Sequence, residues 1–250
     1  KIKSLREKTG AGIMDCKNAL VENNGEVENA IDWLRKKGIA KANKKASRIA
    51  AEGLIGISSN NKSCFMIEVN SETDFVSKNK DFQEFIESLL EIGLQKKCNL
   101  EEFFSSKFNN DYSVKDALNN IIAKIGENIV IRRLIHLDIE TDKNQVGIYI
   151  HNKATENLGK IGCVVSGSYD ENNENIPGLL KKIAMHVSAS KPIALSESIL
   201  NDELIERERS IFSEQLINSG KPKEIINKIV DGKIKKFISE ITLLNQSWIL

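Results

Sequence analysis

The sequence contains few of the residues that metal centres and disulfide frameworks require. Only four cysteines occur in 250 residues, and no two of them form a CxxC pair. They are Cys16, Cys64, Cys98 and Cys163. Zinc sites usually take their ligands in close pairs, and a chain of this length can build a core without disulfides. The spacing therefore predicts free, mostly buried thiols in a reducing compartment.

Long hydrophobic runs are also missing. No apolar stretch approaches the ~18 residues that a membrane-spanning helix needs. The first seven residues (KIKSLRE) lack the apolar core of a signal peptide. We therefore expect neither a membrane span nor a secretion signal. Because the sequence begins at Lys1 rather than at a methionine, we also expect that its start has been trimmed or processed.

Enzyme signatures are likewise missing. The three histidines, His136, His151 and His186, lie far apart, without HxxxH or HExxH spacing. The Gly-Lys pairs lack the earlier glycine of a phosphate-binding P-loop, and no GxSxG nucleophile elbow occurs. We therefore predict no catalytic residues, no cofactor and no metal site, and we expect packing or surface roles for the histidines.

Charge of one sign is not in excess over the whole chain. With 36 basic and 35 acidic residues the net charge is +1, which argues against a general polyanion binder. The distribution is uneven, because residues 1–52 carry a net +5 and the remainder −4. Residues 35–48 contain seven basic residues and no acid. This basic segment is either a solvated helix face or an RNA-binding stripe, although no aromatic residue lies between its charges as single-strand binding favours.

Hydrophobic spacing divides the chain into a helical N-terminal region and a mixed region. Residues 2–37 contain three short stretches of helical period, which are separated by glycine-containing turns and followed by Gly38. We predict a three-helix bundle over residues 1–38 and a basic helical linker over residues 39–52.

From residue 53 the pattern becomes that of strands and amphipathic helices. Residues 53–69 predict a β-hairpin, which is followed by two helices and a further strand. A similar hairpin and helix occur within residues 145–190, where Gly147 lies 91 residues after Gly56. The sequence thus predicts an α+β fold with a duplicated core. Its two related subdomains cover residues 53–138 and 139–196.

The last part of the sequence predicts two helices and then a strand. Apolar stripes on both sides of residues 219–222 (SGKP) predict an antiparallel helical hairpin over residues 197–237. Residues 242–244 (TLL) restart a strand-like pattern. We therefore expect residues 238–250 to begin a return into the second subdomain.

One short segment places a large apolar ring beside an acid, between a predicted strand and a predicted helix. It is Thr73-Asp74-Phe75-Val76. In one interpretation Thr73 or Asp74 caps the helix and Phe75 is a core residue that packs against Phe82. In the other, a loop presents Phe75 as a wedge and Asp74 as a charged probe to a partner. The residues alone leave both interpretations open.

Five motifs follow one another along the chain. They are residues 5–17 (LREKTGAGIMDCK), 68–76 (EVNSETDFV), 124–129 (KIGENI), 184–192 (AMHVSASKP) and 220–225 (GKPKEI). In this order they are similar to the motifs of the bacterial-type elongation factor Ts family, whose members are guanine-nucleotide exchange factors for elongation factor Tu. The resemblance covers essentially the whole chain.

The resemblance implies a fold and a function. The N-terminal bundle is similar to a ubiquitin-associated domain, the core consists of two related α+β subdomains, and the helical hairpin is a protruding coiled coil. Family residues before Lys1 and a C-terminal module after Leu250 lie outside this sequence. The implied function is that of a cytoplasmic factor without covalent chemistry of its own. It binds the GDP form of elongation factor Tu, disturbs the Mg²⁺ and phosphate site, and speeds GDP release.

The resemblance also implies which residues contact the GTPase. The main contact is Thr73, Asp74, Phe75 and Val76. Phe75 inserts between elements of the nucleotide domain, and Asp74 beside it disturbs the Mg²⁺ region. Further contacts are Arg6, Ile13, Met14 and His151. For His151, a surface histidine at a strand end fits the pattern equally well.

The partner implied by the family is elongation factor Tu, with no membrane and no specific nucleic acid. A homodimer within a two-to-two complex is compatible with such families. The alternative function is an RNA- or ribosome-binding module that uses the basic segment 35–48.

Overall fold

A computed structural model of the chain describes residues 1–110, 112–139, 144–168, 175–217 and 222–249. The N-terminal region consists of α1 (Ile2–Thr9), α2 (Ile13–Glu22) and α3 (Val27–Asn43). Their inward faces share one small core, made of Leu5, Cys16, Ala19, Leu20, Ala30 and Leu34. Gly10 ends α1 in the left-handed conformation, with φ 67°, which glycine adopts without a steric penalty.

The third helix differs from the prediction. α3 continues through Gly38 to Asn43, so the expectation that Gly38 ends the helix is wrong. A methyl group at Gly38 would lie 3.5 Å from the side-chain oxygen of Asn120, which shows that α3 crosses another helix closely at this point. The predicted helical linker 39–52 is therefore partly α3 itself. Residues 44–48 then form turns that lead to the first strand.

Among the described residues, five strands form one sheet in the order β3-β2-β1-β5-β4, and every neighbouring pair is antiparallel. The strands are β1 (Glu52–Ser59), β2 (Ser63–Ser71), β3 (Ile129–Asp138), β4 (Asn144–Lys153) and β5 (Leu158–Ser168). The predicted hairpin is confirmed as β1–β2. Its turn is held by Asn60, whose side-chain oxygen accepts from the backbone N–H groups of Lys62 and Ser63.

Helices cover the sheet and extend beyond it, which makes the fold a mixed α+β fold as predicted. They are α4 (Asp74–Ser77), α5 (Lys80–Gln95), α6 (Leu100–Ser105), α7 (Val114–Ile125), α8 (Ile176–Ser190), α9 (Asp202–Ile217) and α10 (Lys223–Ile241). The largest core lies between β1–β3 and the helices α5 and α7, with Phe65, Phe82 and Phe103 fully buried in it. The short helix α6 was not predicted.

Gly56 and Gly147 both lie where a helix crosses the first strand of a hairpin. A methyl group at Gly56 would lie 3.0 Å from Ile86 on α5. At Gly147 it would lie 2.2 Å from the backbone carbonyl carbon of Leu180 on α8. The two positions that were paired in the sequence thus serve the same purpose, which is a close approach between strand and helix.

The segment after residue 196 contains two helices that pack on each other. Val230, Ile234 and Ile238 on α10 are buried against side chains of α9 such as Phe212. Of the turn predicted at residues 219–222, residues 219–221 lie outside the described residues, and Pro222 directly precedes α10. α10 continues to Ile241, past the predicted end at residue 237. The expected strand at 242–244 is wrong for the described chain, since Thr242 forms a single parallel bridge with Ala194 and a 3₁₀ turn follows.

In the part of the chain that the structure describes, no helix is both long enough and apolar enough to cross a membrane.

We predict that Gly147→Ala destabilises the chain, because the added methyl would overlap backbone atoms of α8 that cannot move independently. The free energy of unfolding should fall by about 1–3 kcal/mol, the usual cost of overpacking a core. Urea unfolding measures this value. The matched control is Gly232→Ala on the exposed face of α10, where nothing lies within 4 Å. It should leave stability unchanged or raise it by up to about 1 kcal/mol. Equal stability of the two variants would contradict the close approach.

Candidate protein-interaction site

Phe75 is an apolar side chain that the fold leaves in water. It is 83% exposed, whereas the other eight phenylalanines are buried or half-buried. The interpretation that Phe75 is a core residue packed on Phe82 is therefore wrong. Phe82 is fully buried without it. Single exposed apolar side chains are common on protein surfaces, so exposure alone does not mark an interaction site, but aromatic rings are enriched where partners bind.

The exposure of Phe75 follows from the single helical turn that carries it. β2 ends at Ser71, and the chain then forms α4 over Asp74–Ser77. Val76 and Ser77, which are 4% and 3% exposed, face the core. Because successive residues of a helix point about 100° apart, burying Val76 and Ser77 turns Phe75 outward. The Ser77 hydroxyl donates to the Asp74 carbonyl oxygen at 2.6 Å and closes the turn.

Asp74 lies next to the ring and is held by a lysine from a distant strand. Lys160 on β5 forms an ion pair with the Asp74 carboxylate and also contacts Glu52 on β1 at 3.2 Å. The Ser77 hydroxyl donates to the Asp74 carboxylate at 3.0 Å, and the ammonium of Lys78 lies 4.0 Å away. The hydrogen bond from Lys160, followed by that from Ser77, holds the pKa of Asp74 below its ordinary value.

Thr73 precedes the turn and is held from the opposite side. Its backbone N–H and its hydroxyl both donate to the Glu127 carboxylate, at 2.9 and 2.7 Å. Glu127 lies in the connection between α7 and β3. The described structure thus fixes all the residues around Phe75, while the ring itself projects freely.

Comparison with known proteins identifies relatives of the whole chain. A sequence model of the family described as Elongation factor TS matches residues 72–250, which include the Phe75 turn. Elongation factor Ts of Bartonella bacilliformis is 44% identical over 250 residues, which is 100% of this chain and 81% of that protein. Elongation factor Ts of Sinorhizobium fredii is 45% identical with the same coverage, and that of Paracoccus denitrificans is 45% identical over 249 residues and 82% of its length.

The chain belongs to the elongation factor Ts family. Elongation factor Ts is a nucleotide exchange factor in translation elongation and not a catalyst of covalent chemistry. Membership implies elongation factor Tu as the partner. The resemblance inferred from the five motifs is confirmed.

The other site residues expected of an elongation factor Ts lie on separate elements. Arg6 on α1 is exposed, and Ile13 and Met14 at the start of α2 are 56% and 64% exposed. His151 is exposed and lies within β4, two residues before the strand ends at Lys153. Its Nδ1 shares a hydrogen bond of 2.9 Å with the Tyr149 hydroxyl. The site residues are therefore spread over the bundle, the Phe75 turn and β4.

The basic segment 35–48 of this elongation factor Ts is mostly engaged within the chain. Arg35 forms two hydrogen bonds to Asp116 on α7, at 3.0 and 2.9 Å. Lys37 and Lys41 both bind Asp15 on α2, at 3.0 and 3.1 Å. In the same way, Lys45 donates to the carbonyl oxygen of residue 126, and Arg48 contacts the carboxylate of residue 72. Five of the seven cations thus hold the bundle and its connection in place.

Two residues of the site were not found by reading the sequence. Glu127 lies in the fourth position of the motif at 124–129, so the motif marked its neighbourhood but not its role. Lys160 had no local signal, because its partners Glu52 and Asp74 are distant in sequence.

We predict that Lys160→Ala raises the pKa of Asp74 toward its ordinary value, because the hydrogen bond from Lys160 is the largest cause of the lowered pKa. Since the pKa is depressed in the folded chain, the pair stabilises the turn above the unfolded pKa of Asp74. This stabilisation is lost as the pH falls through the folded value. NMR titration of the Asp74 carboxyl carbon measures the shift. Lys78→Ala, which removes a more distant cation, serves as the control and should raise the pKa less. An unchanged pKa in Lys160→Ala would exclude the lysine as the cause.

Proposed function

We propose that this chain speeds GDP release from elongation factor Tu by inserting Phe75 into the nucleotide domain of the GTPase, with Asp74 disturbing the Mg²⁺ region. The exposed ring on a fixed turn carries this proposal. Nucleotide exchange on elongation factor Tu during translation elongation follows from the family alone. Phe75 and Asp74 are the two residues that we propose as the physical cause of GDP release.

Exchange requires binding energy that differs between two states of the partner. The factor must bind nucleotide-free elongation factor Tu more tightly than the GDP form, and the coupling is reciprocal. Each tenfold weakening of GDP requires ~1.4 kcal/mol of differential contact, so a thousandfold effect needs about 4 kcal/mol. Burying one phenylalanine side chain gives about 1.5–3 kcal/mol. Phe75 therefore supplies a large part of the requirement, and further contacts must supply the rest.

Asp74 is suited to act on the metal rather than on the protein surface alone. In GTPases of this type, Mg²⁺ would neutralise part of the negative charge of the nucleotide phosphates. A carboxylate brought near this cation competes for it, and phosphate charge that loses its counter-ion is bound less tightly. An aspartate with an ordinary pKa is ionised at neutral pH, and the lowered pKa of Asp74 leaves it so, as this role requires.

The remaining contacts are proposed for the bundle and for β4. Arg6, Ile13 and Met14 offer one cation and two exposed apolar side chains on neighbouring helices. We assign them a grip on the same domain of the GTPase, and we assign His151 a contact elsewhere on it. The exposure of all four side chains supports these assignments, although that of His151 is also compatible with a plain surface histidine.

The domain division is proposed on the same basis. We propose a ubiquitin-associated-like bundle, predicted at 1–38 and extended by α3 to Asn43, related subdomains at 53–138 and 139–196, and a coiled coil, predicted at 197–237 and extended by α10 to Ile241. The equivalent use of Gly56 and Gly147 under a helix supports the relation between the subdomains. A homodimer in a two-to-two complex stays a prediction.

The alternative function, RNA or ribosome binding through residues 35–48, has less support. Nucleic-acid affinity of this kind depends on cations that are free to neutralise phosphates. Here five of the seven already contact acceptors within the chain. Strongly salt-dependent RNA affinity in the purified chain would reverse this preference.

We predict that Phe75→Ala slows GDP release roughly 10- to 100-fold at saturating factor, the loss expected from removing one ring that is buried only in the complex. Stopped-flow release of a fluorescent GDP analogue from purified elongation factor Tu measures it. Leu244→Ala, which truncates another exposed apolar side chain (71% exposed), is the matched control and should release GDP like the unmodified chain. Both variants should unfold at the temperature of the unmodified chain. An unchanged release rate in Phe75→Ala would remove Phe75 from the mechanism.

We predict that Asp74→Ala causes a smaller loss of exchange than Phe75→Ala, because the acid perturbs the metal while the ring supplies most of the contact. The loss should shrink further when release is measured without Mg²⁺, since the cation that Asp74 disturbs is then missing. The same stopped-flow assay, run with Mg²⁺ and with a chelator, measures both values. Loss of complex formation in Asp74→Ala would make Asp74 an anchor instead.

A further inference from the structure

The first residue of the Phe75 turn depends on a side chain from another part of the fold. Thr73 occupies the N-cap position of α4, yet its hydroxyl does not cap the helix. Instead, the Thr73 N–H donates to one oxygen of the Glu127 carboxylate at 2.9 Å, and the Thr73 hydroxyl donates to the other at 2.7 Å. Hydrogen bonds to an ionised acceptor are stronger than neutral ones. Glu127 thus accepts from both hydrogen-bond donors of Thr73, the backbone N–H and the hydroxyl.

Glu127 is itself held in place by its neighbours. Gly126 ends α7 with φ 89°, a conformation that favours glycine, and its carbonyl oxygen accepts from the Lys45 ammonium at 2.5 Å. On the other side, the Asn128 N–H donates to Glu72 at 2.5 Å. The segments 72–73 and 127–128 are therefore joined by two hydrogen bonds. The Glu127 carboxylate accepts the backbone N–H of residue 73, and the Glu72 carboxylate accepts the backbone N–H of residue 128. This reciprocal contact fixes the start of the turn against the end of α7.

The direction of the Phe75 ring depends on such anchors because the ring has little contact of its own. Val76 and Ser77, both nearly fully buried, hold the end of the turn. Thr73 holds its beginning, and the Thr73 contact with Glu127 is made by side-chain atoms 54 positions away. Removing the carboxylate leaves the beginning of the turn with one contact, the hydrogen bond from the buried Ser71 hydroxyl to the Thr73 carbonyl oxygen at 3.0 Å, while the end stays buried. The ring then samples more directions without any loss of the core.

We propose that Glu127 is a positioning residue for nucleotide exchange, which acts through Thr73 to hold Phe75 in its projecting direction. This inference rests on the proposed function of Phe75. Glu127 touches neither nucleotide nor metal in this role. A side chain fixed before binding loses less conformational freedom when it enters a partner, so the carboxylate increases the fraction of encounters in which the ring inserts.

The test is Glu127→Ala in the full chain with purified elongation factor Tu carrying a fluorescent GDP analogue. The maximal rate of GDP release should fall by about tenfold, because both hydrogen bonds from Thr73 are lost and each is taken as worth about threefold. Glu127→Gln should restore the rate to within about twofold of the unmodified chain, since its amide oxygen accepts from the Thr73 N–H while its NH2 group donates to the Thr73 hydroxyl oxygen, which rotates to accept. The matched control is Glu87→Ala. The Glu87 carboxylate also accepts from a threonine hydroxyl, that of Thr155 at 2.8 Å, but away from the turn.

The deciding measurement repeats the change in a chain without the ring. If Glu127 acts through Phe75, then Glu127→Ala should slow release no further in the Phe75→Ala background. A general structural role would lower the rate in both backgrounds and would overturn the proposal, as would an unchanged rate in Glu127→Ala alone. Should Glu127→Ala not fold, Thr73→Val replaces it. That change removes only the hydroxyl contact, and a loss of about threefold, absent in the Phe75→Ala background, is expected.

The outcomes separate this inference from the proposed function. If Phe75→Ala leaves GDP release unchanged, the proposed function fails and the role of Glu127 fails with it. If Phe75→Ala slows release but Glu127→Ala and Thr73→Val do not, only the positioning role is wrong.

Discussion

The function proposed for this chain depends on an aromatic ring that stays exposed to water because its neighbours are anchored to the fold. Thr73 is bound to Glu127, Asp74 to Lys160, and Val76 is buried in the main core. Leaving Phe75 exposed forgoes the favourable burial of a large apolar side chain, about 1.5–3 kcal/mol. That free energy becomes available when a partner offers a pocket. Because the turn is already ordered, little of it is spent on fixing the ring in place.

The cations of the basic segment 35–48 bind the N-terminal region to the rest of the fold. Arg35 reaches Asp116 on α7, and Lys45 reaches the carbonyl of Gly126, one residue before Glu127. The end of the basic segment therefore meets the same junction that holds the Phe75 turn. Exposed ion pairs contribute little individually. Here they matter mainly because they engage cations of segment 35–48 that would otherwise be available to bind nucleic-acid phosphates.

The sequence predicted most of the elements but not their relations. The spacing of hydrophobic residues was sufficient to predict the β1–β2 hairpin and the helices α5, α7 and α8, since each of these elements has one buried face. It failed at Gly38, where the close approach of α7 makes a helical glycine useful. It also missed α6, although Asn99 and Glu102 form a capping box there that could have marked its start.

The candidate site shows the same limit. Local residues left two interpretations of Phe75 open because exposure depends on what the rest of the chain offers to the ring. The contacts that fix the turn come from positions 127 and 160, far along the chain. No local pattern connects them to residue 73 or 74. The family motifs were therefore better guides to the site than periodicity, and the structure supplied the contacts that hold it.

Whether the Phe75 ring leaves water on binding can be observed directly. A fluorinated phenylalanine placed at position 75 alone gives one ¹⁹F resonance, whose exposure is read from relaxation by a paramagnetic agent dissolved in the solvent. In the free chain the label should be strongly relaxed, because the ring is 83% exposed. With nucleotide-free elongation factor Tu, insertion predicts a shifted resonance protected from the agent, with exposure returning when GDP and Mg²⁺ dissociate the complex. A label that stays equally exposed in the stable complex would contradict the mechanism.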